Sequence, residues 1–248
     1  MTKNITAVIL AAGKGKRIKA KKTNKAMMKL NGRPMISYSA DLLQEIGFKK
    51  IIVVVGYKKE GLIKHFGNKK FIYAHQKKCL GTADAVKASL PKVPLSSTDL
   101  LVIQSDDSAF YSTGVIKELI RVHKKNKNSL TFLTVVVDNP NSLGRIVRDK
   151  NGELKGIVEA KNASPAQLKI KEINTACYCF DFDFLKKHIG KIPKNKLTNE
   201  YYLPSMIKIA LDNEKSVQAV VMPNRFFYGV NTPEELIYAD KLMKSKLQ

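Results

Sequence analysis

Residues 5–17, ITAVILAAGKGKR, decide the fold. The first six of them form a continuous apolar run, which is typical of a parallel strand covered by helices on both faces. Gly13 and Gly15 follow this run, and basic side chains surround them. Glycines allow a backbone to approach a ligand closely and to offer its N–H groups to phosphate oxygens. The stretch therefore predicts a buried first strand that leads into a phosphate-binding loop, although it matches neither the Walker A motif nor the Rossmann glycine motif.

Beyond this loop, helical and strand patterns alternate along the chain. Pro34 begins a stretch with apolar residues at helical spacing, and buried strands are predicted at Ile51–Val55 and Leu100–Gln104. A β-branched run at Leu130–Val137 predicts a further strand, and residues 201–211 a late helix. This alternation predicts an α/β protein with a Rossmann-like, mixed but mainly parallel sheet between helices.

The middle of the chain, residues 138–182, is richer in strand patterns. Two β-prone runs flank a Gly-containing turn, which predicts a hairpin, and another strand follows. No linker, repeat or low-complexity block divides the sequence. We predict a single domain over residues 1–248, with a first part at about 1–137, an inserted β-rich lobe at about 138–228 and a C-terminal helix at about 232–246.

The formal net charge is +23, from 44 Lys and Arg residues against 21 Asp and Glu residues. Such a surplus attracts polyanions, including nucleic acids and phosphorylated small molecules. Only six of the basic residues are Arg, the residue on which sequence-specific nucleic-acid readers rely for base contacts. The dispersed Lys surplus therefore favours a solvated surface, and a nucleic-acid-binding protein remains the alternative.

The three cysteines include no CxxC pair, so they predict buried free thiols rather than a disulfide framework or a zinc site. No apolar run approaches the length of a membrane span. These features predict a cytoplasmic protein that does not act on a membrane.

Three further motifs lie at the ends of predicted elements. Gly81 and Thr82 stand where a helix begins, which would present N–H groups and a hydroxyl to a base or a phosphate. Gln76, just before them, could read a pyrimidine edge. Asp106 follows the third buried strand, where a carboxylate is well placed to hold Mg²⁺. Each motif also has a purely structural interpretation, since Thr82 could cap its own helix and Asp106 could belong to a turn.

Taken in order, these segments resemble the nucleotide-sugar pyrophosphorylase family of nucleotidyltransferases. LAAGKGKR with Lys25 is similar to the family signature G-x-G-x-R…K. The segments QKKCLGTADAV, LGRIVRD, GIVEAK, EINTACY, NEYYL and GVNTPEEL match the uridylyltransferase branch, as found in the uridylyltransferase domain of bacterial N-acetylglucosamine-1-phosphate uridylyltransferases. The resemblance runs from Ile5 to about Leu236, and it implies a glycosyltransferase-A-like nucleotidyltransferase fold with a nucleotide-binding first part and a sugar-binding lobe.

The resemblance implies a role for each matching residue. The uridine and phosphates would be bound by Leu10, Ala11, Ala12, Gly13, Gly15, Lys25, Gln76, Gly81 and Thr82. The sugar would be bound by Gly144, Glu159, Asn174 and Tyr202. Arg17, Lys25 and Asp106 would be catalytic, and Asp106 and Asn231 would hold Mg²⁺. The chain departs from the family pattern at Ser105 and Asp107 beside the implied metal site, at Ala176 in place of Gly, and at Pro204 in place of Thr.

The activity implied is the Mg²⁺-dependent transfer of a uridylyl group from UTP to N-acetylglucosamine 1-phosphate, a step that supplies a cell-wall precursor. The alternatives are the same chemistry on glucose 1-phosphate with UTP or dTTP, a CTP-dependent cytidylyltransferase, and a protein that binds a nucleotide sugar or nucleic acid without catalysis. The expected partners are small molecules, not a specific nucleic acid or a membrane. Because the sequence carries no hexapeptide repeats, we expect no acetyltransferase β-helix and therefore a monomer or a weak oligomer.

Overall fold

The computed structural model describes residues 1–20, 23–67 and 71–246. The strands are β1 (Ile5–Ala11), β2 (Lys29–Leu30), β3 (Arg33–Pro34), β4 (Ile51–Val55), β5 (Ile72–His75), β6 (Asp99–Gln104), β7 (Leu130–Val136), β8 (Arg145–Arg148), β9 (Leu154–Val158), β10 (Glu172–Asp181) and β11 (Val217–Met222). The α-helices are α1 (Met35–Ile46), α2 (Lys59–Phe66), α3 (Thr82–Ser89), α4 (Thr113–Lys125), α5 (Pro165–Leu168), α6 (Phe182–His188), α7 (Ser205–Asp212) and α8 (Pro233–Lys246).

The central sheet has the strand order β11-β7-β10-β6-β1-β4-β5. β1 pairs in parallel with both β4 and β6, and β11 pairs in parallel with β7. β10 is antiparallel to both of its neighbours, β6 and β7. The predicted α/β class with a mixed, mainly parallel sheet is therefore confirmed.

The chain reverses its direction of travel across the sheet at β1. It runs from β1 outward to β4 and β5, and then returns to place β6 on the other side of β1. The connections that leave β1 and β6 consequently diverge, and a crevice opens at the carboxyl ends of these two strands. In open α/β sheets this switch point is where ligands bind.

Apolar side chains cover both faces of the sheet, as the continuous runs in the sequence predicted. Ile5, Ala7 and Ile9 of β1 belong to one buried cluster with α1 and α4. Val8 and Leu10 point to the other face and belong to a second cluster with α3, α6 and α7. Because β1 is buried along its whole length, its carboxyl end is held firmly at the crevice.

The late helix predicted at 201–211 begins only at Ser205. The backbone N–H of Tyr201 donates to the Leu80 carbonyl at 2.7 Å, and the Tyr201 carbonyl accepts from the N–H of Ala83 at 3.0 Å. This pairing with a distant segment keeps the start of the stretch extended. The predicted helix is therefore present but begins four residues later than expected, because no local pattern reveals such a partner.

The β-rich lobe predicted at 138–228 is divided in the structure. β10 and β11 are strands of the central sheet, so their side chains pack in the main core. The hairpin of β8 and β9 joins the sheet through the pairing of Arg145 with Ile173, and α5 contacts β8. The hairpin and α5 are thus appended to β10.

Cys177 and Cys179 lie two residues apart on β10, and both side chains are buried in the same cluster. All three cysteines are free, as predicted, but Cys79 is only half-buried, whereas burial was expected for each of them. Over the described ranges, no helix is long and apolar enough to cross a membrane.

A strained residue on β10 generates a stability prediction. Ala176 has φ +56° at an irregularity in the β10–β7 register. Residues that carry a Cβ adopt this left-handed conformation at a cost of about 1 kcal/mol. We expect Ala176→Gly to raise the free energy of unfolding by about 0.5 kcal/mol, since glycine's extra freedom in the unfolded chain offsets part of the gain. Chemical denaturation measures it. Ala219→Gly in β11, where φ is not positive, is the matched control and should lower the free energy of unfolding. A loss of similar size in both variants contradicts the prediction.

Candidate active site

A cavity of about 610 Å³ opens at the carboxyl ends of β1 and β6. The structure places every residue that the sequence predicted as a site residue in the lining of this cavity. These residues are Leu10, Ala11, Ala12, Gly13, Gly15, Arg17, Lys25, Gln76, Gly81, Thr82, Asp106, Gly144, Glu159, Asn174, Tyr202 and Asn231.

The loop after β1 forms one wall of the cavity. It turns at Gly15, which has φ +59° and where an added Cβ would lie 2.9 Å from the Cβ atoms of both Ala20 and Lys25. At Gly13 an added Cβ would meet no atom within 4 Å, so that glycine borders open space. Across the described ranges, the backbone N–H groups of residues 13–17 have no hydrogen-bond acceptor. The loop therefore presents free N–H donors and positive side chains to the cavity, as an anion site requires.

Asn24 holds this loop against the sheet, a role that the sequence did not reveal. Its buried side-chain Nδ2 donates to the carbonyl of Ala11 at 2.9 Å and to that of Tyr57 at 2.7 Å. Its Oδ1 accepts from the N–H of Ala26 at 2.9 Å and caps the 3-10 turn that carries Lys25. Asn24 thus fixes the ends of β1 and β4 together and places Lys25 at the cavity wall. The one sequence signal was an Asn in a capping position.

Lys25 lies at the centre of a charge cluster. Its Nζ forms an ion pair with Oδ2 of Asp106 and donates to Oδ1 of Asn231 at 3.2 Å. Nη2 of Arg17 donates to the same Asn231 oxygen at 2.9 Å. Lys25 and Asp106 side chains are only 16% and 14% exposed, so neither charge can be left without a counter-charge at low cost.

Asp107 adds a second carboxylate to the cluster. Its Oδ1 is buried and has no hydrogen-bond partner among the described residues. Burial and the charge of Asp106 raise the pKa of Asp107 to about 7, although Lys25 and Arg17 act in the opposite direction. The site therefore holds an oxygen that lacks a cation or a proton donor.

The residues fit a bound Mg²⁺. Asp106 and Asn231 direct oxygen atoms at one cation, the Lys25 ammonium, and oxygen is the ligand atom that Mg²⁺ prefers. The unpartnered oxygen of Asp107 and Nδ2 of Asn231 lie 3.5 and 3.3 Å from the position of a Cβ added at Gly229, so Asp107 is close to this pair. In the part of the chain that the structure describes, no group of three His, Cys, Asp or Glu side chains converges as a metal site. Further ligands would therefore have to come from water and from substrate phosphates, as is usual for Mg²⁺.

The second end of the cavity is built where α3 begins. Gly81 precedes the helix with φ +101°, and an added Cβ there would overlap the backbone of Tyr201. The hydroxyl of Thr82 accepts from the N–H of Leu203 at 2.9 Å and makes no cap bond to its own helix. The capping interpretation of Thr82 is therefore wrong. Nε2 of Gln76 donates to the Gly81 carbonyl at 3.0 Å, so this side chain is tied to the same turn.

A third part of the cavity wall lies beside the β8–β9 hairpin. A Cβ added at Gly144 would lie 3.0 Å from Cδ1 of Ile157 and 3.7 Å from Oε1 of Glu159, so the glycine permits close packing against the hairpin. Burial raises the pKa of Glu159, against the opposing effect of Lys161. Nδ2 of Asn174 donates to the Tyr178 hydroxyl at 2.6 Å, and its Oδ1 accepts from the N–H of Ala176 at 3.2 Å, so the amide is held in one orientation.

Tyr202 closes the rim of this end. Its hydroxyl donates to Oγ1 of Thr198 at 2.7 Å, and Nζ of Lys161 lies 5.0 Å from the centre of its ring. The contact with Lys161 joins the hairpin to the segment before α7, at a distance that suits a cation–π interaction.

Arg145 shapes the loop before the hairpin, which is a second role that the sequence did not reveal. The side chain is 3% exposed and its guanidinium donates to three backbone carbonyls, those of Pro140, Asn141 and Leu143. These bonds fold the loop into a turn whose Ser142 lines the cavity. The sequence marked Arg145 only as part of a motif, because its partners are backbone atoms.

The fold and the cavity together define an α/β protein of the nucleotide-binding type, with its ligand cavity at the switch point of a mainly parallel sheet. A family model described as nucleotidyl transferase matches residues 6–244, so the chain belongs to the nucleotidyl transferase family. The resemblance drawn from the sequence motifs is confirmed.

Curated relatives place the chain more closely within this family. It is 37% identical over 243 residues to the bifunctional protein GlmU of Thermoanaerobacter pseudethanolicus, with 98% of this chain and 52% of the relative covered. It is also 37% identical over 250 residues to the bifunctional protein GlmU of Caldicellulosiruptor saccharolyticus, with 100% and 53% covered. The chain thus spans about half the length of the curated relatives it matches.

A solved structure supports the fold assignment. A Bacillus anthracis protein described as a glucose-1-phosphate thymidylyltransferase, solved in complex with sucrose, superposes with a TM-score of 0.78. The match covers 96% of this chain and 94% of that protein at 21% sequence identity. At this identity the likeness concerns the fold alone.

The raised pKa of Asp107 generates a prediction about stability in metal-free buffer. The folded state holds this proton up to a pH of about 7, whereas an ordinary Asp loses it near 3.8. Between these values the folded chain binds more protons than the unfolded chain, so the contribution of Asp107 to the free energy of unfolding is lost as the pH rises. We expect Asp107→Asn to be more stable than the wild type at pH 8 and to differ little at pH 4.

Urea denaturation of both proteins at a series of pH values measures this difference. Asp138→Asn removes a carboxylate that is 91% exposed and is the control, for which no pH-dependent gain is expected. A constant gap between Asp107→Asn and the wild type at every pH contradicts the prediction.

Proposed function

We propose that this chain transfers a uridylyl group from UTP to N-acetylglucosamine 1-phosphate and releases pyrophosphate. The observation that carries the proposal is one cavity, whose lining combines the glycine loop after β1, two cationic side chains with two carboxylates, and the polar side chains of Glu159 and Asn174.

In the proposed reaction, a phosphate oxygen of the sugar 1-phosphate attacks the α-phosphorus of UTP. The new O–P bond forms as the bond from the α-phosphorus to the bridging oxygen breaks, and pyrophosphate departs with that electron pair. The attacking phosphate is already ionised at neutral pH, so the step needs no side chain as a general base. Catalysis rests on positioning of the two phosphates and on stabilisation of charge.

The loop and its cations supply both contributions. Free N–H groups of residues 13–17 bind phosphate oxygens, while Arg17 and Lys25 place positive charge where negative charge accumulates on the leaving pyrophosphate. Asn24 prevents the loop from moving away, because three hydrogen bonds of its side chain hold the adjoining backbone. Asp106 and Asn231 would hold Mg²⁺, which when bound supplies charge neutralisation and orientation of the phosphate oxygens.

The sugar end offers hydrogen-bond acceptors and donors at fixed positions. Glu159 presents a carboxylate to sugar hydroxyls, and Gly144 lines the cavity beside it. Asn174 keeps its orientation because Tyr178 and the N–H of Ala176 engage its two amide ends. Gly144, Glu159 and Asn174 are the residues that the family resemblance associates with binding of an amino-sugar.

A second candidate is the same transfer to glucose 1-phosphate. Ala176 lines the sugar end and carries a methyl group where the family pattern has glycine. A smaller sugar without an acetamido group needs less room beside this methyl group.

A pyrophosphate-release assay with UTP, dTTP, CTP and ATP against N-acetylglucosamine 1-phosphate and glucose 1-phosphate tests the proposal and separates the two candidates. We expect Mg²⁺-dependent release to be fastest with UTP and N-acetylglucosamine 1-phosphate. Faster release with glucose 1-phosphate favours the second candidate. No Mg²⁺-dependent release with any pair overturns the proposal.

The charge cluster generates a prediction about activity. We expect Asp106→Asn to lower the rate of pyrophosphate release by about a hundredfold or more, a loss typical of removing one group that stabilises transition-state charge. Circular dichroism is expected to show an unchanged fold. Asp138→Asn, on the surface away from the cavity lining, is the control for the loss of one negative charge. If Asp106→Asn retains its activity, the metal-binding role belongs to Asp107 instead.

A further inference from the structure

Gln76 at the base end of the cavity uses both of its amide hydrogens within the protein. Nε2 donates to the carbonyl of Gly81 at 3.0 Å and to Oδ2 of Asp84 at 2.7 Å. The side chain is 5% exposed, and it lines the cavity. Its Oε1 receives no hydrogen bond from any residue that the structure describes.

Asp84 determines which end of this amide faces the cavity. A carboxylate and a backbone carbonyl can only accept hydrogen bonds, so the NH₂ group must point at Asp84 and Gly81. If the amide were reversed, Oε1 of Gln76 would take the place of Nε2. It would then lie 2.7 Å from Oδ2 of Asp84 and 3.0 Å from the Gly81 carbonyl oxygen, and neither of these oxygens can donate a hydrogen bond. The carbonyl oxygen of Gln76 is therefore held as a fixed acceptor.

A backbone donor lies beside this acceptor. The N–H groups of Gly81 and Thr82 precede the first bonded N–H of α3, and neither has an acceptor in the described ranges of the chain. Small side chains, among them Ala12 and Ala85, line the same part of the cavity and leave room for a flat ring. The wall thus offers one acceptor next to backbone donors.

We propose that Asp84 is a positioning residue that makes the site select a pyrimidine with a protonated N3. Uracil and thymine have an N3–H donor between two carbonyl acceptors, which complements an acceptor flanked by donors. Cytosine has an unprotonated N3, so its lone pair would face the lone pairs of Oε1 of Gln76. The inference rests on the proposed function, because it assumes that the cavity binds a nucleoside triphosphate, and it assigns UTP and dTTP against CTP.

The selection depends on whether N3 of the base donates a hydrogen bond to Oε1 of Gln76 or presents a lone pair to it. At a buried site, two facing acceptors carry a large free-energy cost. A buried polar group left without its partner loses its full desolvation energy, whereas a shape difference costs less. Removal of the Asp84 charge while its size is kept should therefore change the choice of base rather than the strength of nucleotide binding in general. In Asp84→Asn the new side chain can either donate or accept, so the Gln76 amide is free to reverse.

The test is isothermal titration of UTP, dTTP and CTP into the full chain with Mg²⁺ and without a sugar phosphate. For the wild type we expect UTP and dTTP to bind at least tenfold more tightly than CTP. In Asp84→Asn the ratio of UTP to CTP affinity should fall about tenfold, because UTP binding weakens and CTP binding is kept or strengthened. The change in dTTP affinity should follow that of UTP.

Two further variants separate positioning from structure. Asp84 lies in the first turn of α3, where a carboxylate also stabilises the helix, so Asp183→Asn in the first turn of α6 is the matched control and should leave the ratio unchanged. Gln76→Ala should lower the ratio by itself, and adding Asp84→Asn to it should produce no further change, since Asp84 acts only through Gln76.

Equal losses of UTP and CTP affinity in Asp84→Asn would show a merely structural role and overturn the inference. Equal affinities of the wild type for UTP and CTP would overturn it as well, while the proposed transfer of a nucleotidyl group could still be observed in the pyrophosphate assay. If the wild type prefers UTP in titrations but releases no pyrophosphate with any sugar phosphate, the proposed function fails and the base selection stands.

Discussion

The position of β1 is the constraint on which the rest of the structure depends. This strand lies in the middle of the sheet with parallel partners on both sides, and every one of its residues is buried. The reversal between β4 and β6 leaves the carboxyl end of β1 without a crossing connection above it, so the loop after Ala11 faces an open crevice. All other parts of the cavity are arranged around this loop.

Electrostatics explains why that crevice holds so many paired charges. The Lys25 side chain is only 16% exposed, so its charge must have a counter-charge in the absence of ligand, whereas Arg17 is exposed. Asp106 supplies this counter-charge to Lys25, and the amide oxygen of Asn231 accepts hydrogen bonds from both Lys25 and Arg17. Asp107 adds a second carboxylate to this cluster, and burial together with the charge of Asp106 opposes its ionisation and raises its pKa. The net charge of +23 has little part in this balance, because the site depends on a few charges at fixed places.

The sequence predicted those parts of the structure that depend on local patterns. Apolar runs identified β1, β4 and β6 to within one residue, and the glycines after β1 identified the loop. The family resemblance named residues from segments spread between Leu10 and Asn231, and all of them line one cavity. Asn24, Arg145 and Asp84 were not recognised, because each acts through backbone carbonyls or through one remote amide. The extended start of the segment before α7 was missed for the same reason, since its partner lies some 120 residues earlier in the chain.

That segment has a consequence for any attempt to alter the enzyme. Tyr201 and Leu203 are hydrogen-bonded to the turn that carries Gly81 and Thr82, while the side chain of Tyr202, between them, lines the cavity. In the proposed function, alternate residues of this short peptide would therefore affect the binding of two different ligand moieties. A substitution that reshapes the peptide at Tyr202 would then also disturb the turn at Gly81 and Thr82, so sugar and base specificity would be coupled at this wall.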